Sequence, residues 1–193
     1  ITLASGDAIS TLTITQSNGA TVTGTLGAGT AGAVTLTDTT GTVAFQGNTQ
    51  ITTLTTANKP YNVSFTGTTT NVTNDANFLN TGTVTLGNGG GDTLTFAGGL
   101  GTIGNATNPS ATHTFGTVQT NGTQMDIGAL TLDGATTLAT NNTVAAGAVM
   151  NVGAVTGGGF TLGVNGGTGG AVTLASGDNI GTLTVVNSGG TIV

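Results

Sequence analysis

The chain has 193 residues, 4% charged and 36% hydrophobic, with a net charge of −6 from seven Asp, one Lys and neither Arg nor Glu. A single cation leaves nothing to neutralise phosphates, which argues against nucleic acid and against attraction to an anionic membrane surface. There is no cysteine, which excludes disulfides and thiolate metal sites. No run approaches the ~18 apolar residues of a membrane span.

Short strands of the form apolar–polar–apolar follow one another along the chain. In order they are Leu12/Ile14, Val34/Leu36, Val43/Phe45, Val63/Phe65, Val84/Leu86, Leu94/Phe96, Leu130/Leu132, Leu162/Val164 and Leu183/Val185. Period-two alternation turns each apolar pair to one face and the intervening small or polar residue to the other. Thr and Val favour strands, the helix formers Glu, Lys and Arg are nearly missing, and no segment carries a 3.6-residue stripe. The sequence predicts an all-β chain. It is too apolar and too weakly charged for a disordered one, and it lacks the Gly-X-Y period of collagen.

Spacing chooses among β architectures. Leu12 to Val34 is a step of 22, Val43 to Val63 of 20, Val63 to Val84 of 21 and Leu162 to Leu183 of 21. Other strands fall near half that interval, such as Val34 to Val43, a step of 9. This beat predicts a β-solenoid of about 20 residues per coil, nine to ten coils in all, with strands on two or three sides. A sandwich or barrel is the competing fold, since strands every 8–12 residues also suggest those. The turns, however, are mostly long Gly-rich runs, and aromatics make up only 4% of the chain. In a solenoid, coils stack about 4.8 Å apart, so equivalent side chains form ladders. Like charges in a ladder repel, whereas Thr, Asn and small apolar residues stack on themselves. The composition follows from that constraint.

The two ends carry a longer period. ITLASGDAISTLTITQSNGATV (1–22) and VTLASGDNIGTLTVVNSGGTIV (172–193) agree at 13 of 22 positions, at an offset of 172 − 1 = 171. We read residues 1–193 as one solenoid segment: a long repeat, 1–171, and the first coil of the next, 172–193. Leu3, Ile9, Leu12 and Ile14 are then expected to match Leu174, Ile180, Leu183 and Val185 in direction and burial. Neither end shows a charged or helical cap, so the expected partners are neighbouring repeats or copies of the chain, end to end. No secretory leader is visible, and an export signal is expected outside these residues.

The runs AGAVTLTDTTGTVAFQGN (31–48), NTGTVTLGNGGGDTLTFAGG (80–99) and GALTLDGATTL (128–138) resemble those of giant bacterial surface proteins of the filamentous-haemagglutinin and autotransporter-passenger type. The resemblance is one of texture over the whole chain. It implies a right-handed parallel β-helix, export from a bacterium to the cell surface or beyond, and a role as fibre, stalk or adhesin. No binding residue carries over.

Candidate chemistry is sparse. Asp92, in GNGGGDTLT, is the one calcium candidate, because the run resembles a single G-G-x-G-x-D-x-U-x nonapeptide. Calcium there needs tandem copies, and the next nine residues contain no Asp; the alternative is an Asp that bonds its own turn. Asp7 and Asp178, each in ASGD, read as turn residues that bond nearby backbone N–H groups. His113 falls on the same side as Phe115, as a core or corner histidine with no carboxylate near it in sequence, so neither a metal nor an acid–base role is assigned. Lys59, Pro60 and Tyr61 form either a protruding contact loop or an ordinary turn. Seven scattered Asp and one Lys do not suit the carboxylate pairs or charge clamps of β-helical lyases and hydrolases, and no enzyme activity is expected. The expected function is a structural segment of an extracellular fibre or adhesin stalk. The alternative is a Thr-rich face for ice or a surface glycan, from runs such as Thr11/Thr13/Thr15 and Thr21/Thr23/Thr25. No cofactor is expected.

Overall fold

A computed structural model describes residues 1–29 and 31–192, with residues 191 and 192 described by their backbone alone. Val193, the last residue of the terminal repeat, lies outside the described residues. The described chain is all β with no helix; its strands stack in parallel as a β-solenoid of about 8 turns, roughly 22 residues per coil. All pairings between named strands are parallel, which rules out the sandwich and its hairpins.

Each coil visits three faces. The first face holds Thr2–Leu3, Ala20–Val22, Thr42–Phe45, Asn62–Phe65, Thr83–Leu86, then 111–114, 130–132, 154–156 and 176–178. One outward column on this face runs Thr2, Thr21, Ala44, Ser64, Thr85, His113, Thr131, Thr156, Asp178, each residue paired with the next. Eight steps carry this column from position 2 to position 178, a mean of 22 per step. The second face holds Thr69–Val72, Thr93–Phe96, 116–119, 136–139, Thr161–Asn165 and Thr182–Asn187. The third holds Thr11–Ile14 and Gly32–Leu36 at one end and Met125–Ile127, 150–152 and 171–174 at the other.

The coil length expected from the sequence, about 20 residues, is close to the roughly 22 observed. The four spacings read there are true registers: Leu12 pairs with Val34, Val43 with Val63, Val63 with Val84, and Leu162 with Leu183. Corner loops lengthen other coils. The step from Thr85 to His113 is 28 because 102–110 loops out, and that from Thr131 to Thr156 is 25 because of 140–149. Longer coils also mean fewer of them, about 8 turns rather than nine to ten.

Inward residues repeat the ladder. Val43, Val63 and Val84 form one buried column, and Phe45, Phe65 and Leu86 the next. The Phe45 and Phe65 rings stack at 4.6 Å and 9°, while Phe96 meets Phe65 and Phe78 edge-on at 6.4 and 6.2 Å. Each such side chain stabilises the fold by about 1.5–3 kcal/mol on burial. The pattern then changes character. At 111–114 the inward residues are Thr112 and Thr114, whose hydroxyls bond Thr102 Oγ1 at 3.0 Å and Thr136 Oγ1 at 3.1 Å, so the polar atoms are satisfied inside the core.

The repeated ends agree locally and differ globally. Thr2 pairs with Thr21, and Thr173, its counterpart, pairs with Ile192, the counterpart of Thr21. Yet Leu3 lies on the first face and Leu174 on the third. Burial agrees only in part: Ile9 and Ile180 are both half-buried, while Leu3 is half-buried where Leu174 is buried. Leu12 and Leu183 are both half-buried, but Ile14 is buried where Val185 is 42% exposed.

Candidate functional site

The sequence candidates separate once they are placed on the coils. Asp92 sits in the turn between the first and second faces, where its Oδ2 accepts the Asn88 N–H at 2.8 Å. That contact is the local-turn alternative for Asp92. Its backbone carbonyl accepts from the Thr117 N–H of the following coil at 2.9 Å. Among the described residues, the carboxylates of Asp7 and Asp178 make no hydrogen bond, contrary to the capping expected of them. Their backbone carbonyls accept the Gly29 and Gly157 N–H groups at 2.8 and 2.7 Å. The two Asp lie at opposite ends of the stack, far from linking adjacent coils.

His113 corrects the sequence reading. It does share a side with Phe115, but that side is the outer one, because Thr112 and Thr114 take the interior. Its Nδ1 lies 3.1 and 3.2 Å from the two carboxylate oxygens of Asp133 on the next coil. Lys59 and Asp38 meet in the same way, Nζ to Oδ1 at 2.8 Å, both about half exposed. In each pair the partners stand one coil apart, at sequence steps of 20 and 21. Adding one coil period to each charged position is the signal that finds them.

Lys59-Pro60-Tyr61 divides in two. Lys59 is at the surface, but Tyr61 is fully buried, its hydroxyl accepting the Ala57 N–H at 2.8 Å across the turn. Burial raises the Tyr61 pKa above its ordinary 10.0, with the bonds to the Ala57 backbone and Thr56 pulling the other way. The segment is a corner anchored by a core tyrosine.

Two surface arrangements have no counterpart in the sequence reading. On the third face, Asp75 and Asp126 stand one coil either side of a Gly98-Gly99-Leu100-Gly101 rung and leave a shallow polar trough. Each is tied to amides: Asn77 Nδ2 donates to Asp75 Oδ2, and Gln124 Nε2 and Asn151 Nδ2 donate to the two oxygens of Asp126, all at 2.7 Å. No group of three or more His, Cys, Asp or Glu able to hold a metal occurs among the described residues. On the second face, Thr69, Thr93, Thr117 and Thr137 stack as one outward column over four successive coils, interrupted at Gly163 and resumed by Thr184. The expected Thr-x-Thr runs scatter instead. Thr11 and Thr13 lie on the third face and Thr21 on the first.

What these surfaces share is flatness: mostly neutral side chains in columns, many of them bonded to the coil above or below. Such a surface can stack and hydrogen-bond with the coils above and below. Comparisons with protein-family models, curated proteins and solved structures find no match.

Proposed function

We propose that the chain is a structural segment of a long, repetitive extracellular bacterial fibre or adhesin stalk. The observation that carries this reading is the recurrence of one coil at both ends of a 171-residue unit, in the same strand register, Thr2 on Thr21 and Thr173 on Ile192. A parallel ladder satisfies its backbone along the axis only through another rung, so the natural partner of such a coil is the next repeat, covalently joined or docked end to end. The lack of cysteine and the near absence of charge suit a long exposed filament. Chains carrying residues 1–171 in two and three copies before 172–193 test the reading. Electron microscopy should show rods of constant width that lengthen equally with each copy. Beads on a string would contradict it.

The Thr column on the second face favours a second reading, a binding face for ice or a surface glycan. Thr117→Lys, at its centre, should then abolish inhibition of ice recrystallisation or retention on a glycan array. Wild-type chain inactive in both assays removes this reading.

A further inference from the structure

The structure shows how many face segments the 171-residue unit contains. From Thr2, seven full turns along the first face lead to Thr156. Two more faces, Thr161–Asn165 and then 171–174, bring the chain to Thr173 and Leu174, the counterparts of Thr2 and Leu3. The unit therefore contains 3 × 7 + 2 = 23 face segments, and 23 is not divisible by three.

The terminal coils are alike in register and at one corner. Their registers coincide, and Gly6 and Gly177 each leave room for the side chain of the isoleucine three residues on, Ile9 and Ile180, whose Cδ1 a Cβ would strike. What differs is the face each strand occupies.

We propose that in a chain carrying this unit in tandem, each copy is turned by one face relative to the copy before it. This rests on the tandem-fibre reading above. A feature on the second face of one copy lies on the first face of the next and on the third face of the copy after that. It returns to its starting face after three copies, or 23 whole turns. Each copy rises by about 37 Å, seven and two-thirds coils at ~4.8 Å. The consequence is functional. The Thr69–Thr137 column and the Asp75/Asp126 trough cannot line up along one side of a fibre; each is shown in turn to three directions. That suits a stalk or a multivalent surface, and it is unsuited to a continuous flat ligand face.

The absence of cysteine makes the segment count testable by disulfides in the full chain. Outward neighbours one rung apart fall within the ~4.4–6.8 Å Cα separation a disulfide needs. Thr131→Cys/Thr156→Cys and Thr156→Cys/Asp178→Cys should oxidise readily to intramolecular disulfides, and Thr156→Cys/Thr173→Cys should not. If the unit held a whole number of turns, Thr173 would stand in the column of Thr2. Ready oxidation of the Thr156/Thr173 pair, with none for Thr156/Asp178, would overturn the proposal. Circular dichroism of the reduced variants shows that each is folded. In the two-copy chain, gold labels on the two copies of Lys59 should project from different sides of one rod, while labels on the same side contradict the rotation. Two separate bodies instead of one rod would sink the tandem reading, and the rotation with it, even with the disulfide pattern as expected.

Discussion

The two halves of the stack fill the same ladder with different material. Between residues 42 and 100 the interior is aromatic: Phe45, Phe65, Phe78, Phe96 and Tyr61 are all fully buried. Beyond residue 116 no aromatic ring is buried among the described residues. The core there is Val118, Leu138, Val164 and Met150, and the one phenylalanine of that stretch, Phe160, is 41% exposed. Backbone contact at the corners is common to both: a Cβ on Gly47, Gly67 or Gly82 would run into a carbonyl of the neighbouring coil, as would one on Gly147, Gly170 or Gly181. The strand registers continue through both halves. The difference teaches that alternation and corner geometry specify this fold, and that the core needs only the right volume in each coil.

The largest expected effect comes from emptying the aromatic half. Phe65→Ala removes the ring stacked on Phe45 and met by Phe96, and should cost about 3–5 kcal/mol in denaturant unfolding. Val118→Ala in the other half should cost about half of that, from two buried methyl groups at ~0.8 kcal/mol each and a small cavity. Equal losses would erase the contrast between the halves. Gly147→Ala tests the corner geometry that both halves share. At φ +65° an L residue is strained by about 1–3 kcal/mol, before the added Cβ meets the Gly166 carbonyl. Its thermal midpoint should fall well below that of Gly91→Ala, where a Cβ meets nothing within 4 Å and φ is not positive.

A third test uses pH. The Tyr61 hydroxyl is neutral in the fold and its pKa is raised by burial, so the folded chain holds this proton more tightly than the unfolded chain does. That contribution is complete below the unfolded value of about 10 and is lost as pH climbs through the raised value. Stability should therefore drop above about pH 10, and Tyr61→Phe should flatten the drop while leaving the acid side unchanged. The smallest effect belongs to Lys59→Gln. Its bridge to Asp38 is exposed on both sides and is worth at most about 1 kcal/mol, less in high salt.

Much of this is legible in the residues, and the gaps have physical causes. Alternation identifies Val43/Phe45, Val63/Phe65 and Val84/Leu86 as inward pairs, because in a strand the side follows from period two alone. It fails at ATHTFG, where Thr112 and Thr114 turn inward because each finds a hydroxyl partner on another segment, which a single stretch of sequence does not display. The number of coils is overestimated because corner loops such as 102–110 add residues without adding strands. The pairing of His113 with Asp133 is hidden for a related reason: the two are neighbours only after a full turn. The 171-residue repeat is plain in the sequence, but its fraction of a turn is not, since the count of face segments depends on which corners are tight.

The most direct test is a map of cross-strand amide contacts by nuclear magnetic resonance along the column Thr21, Ala44, Ser64, Thr85, His113, Thr131, Thr156, Asp178. The solenoid predicts a parallel-strand contact at every step of that column, with sequence steps ranging from 18 to 28. Close Hα–Hα contacts between strands adjacent in sequence, the mark of antiparallel hairpins, would contradict it.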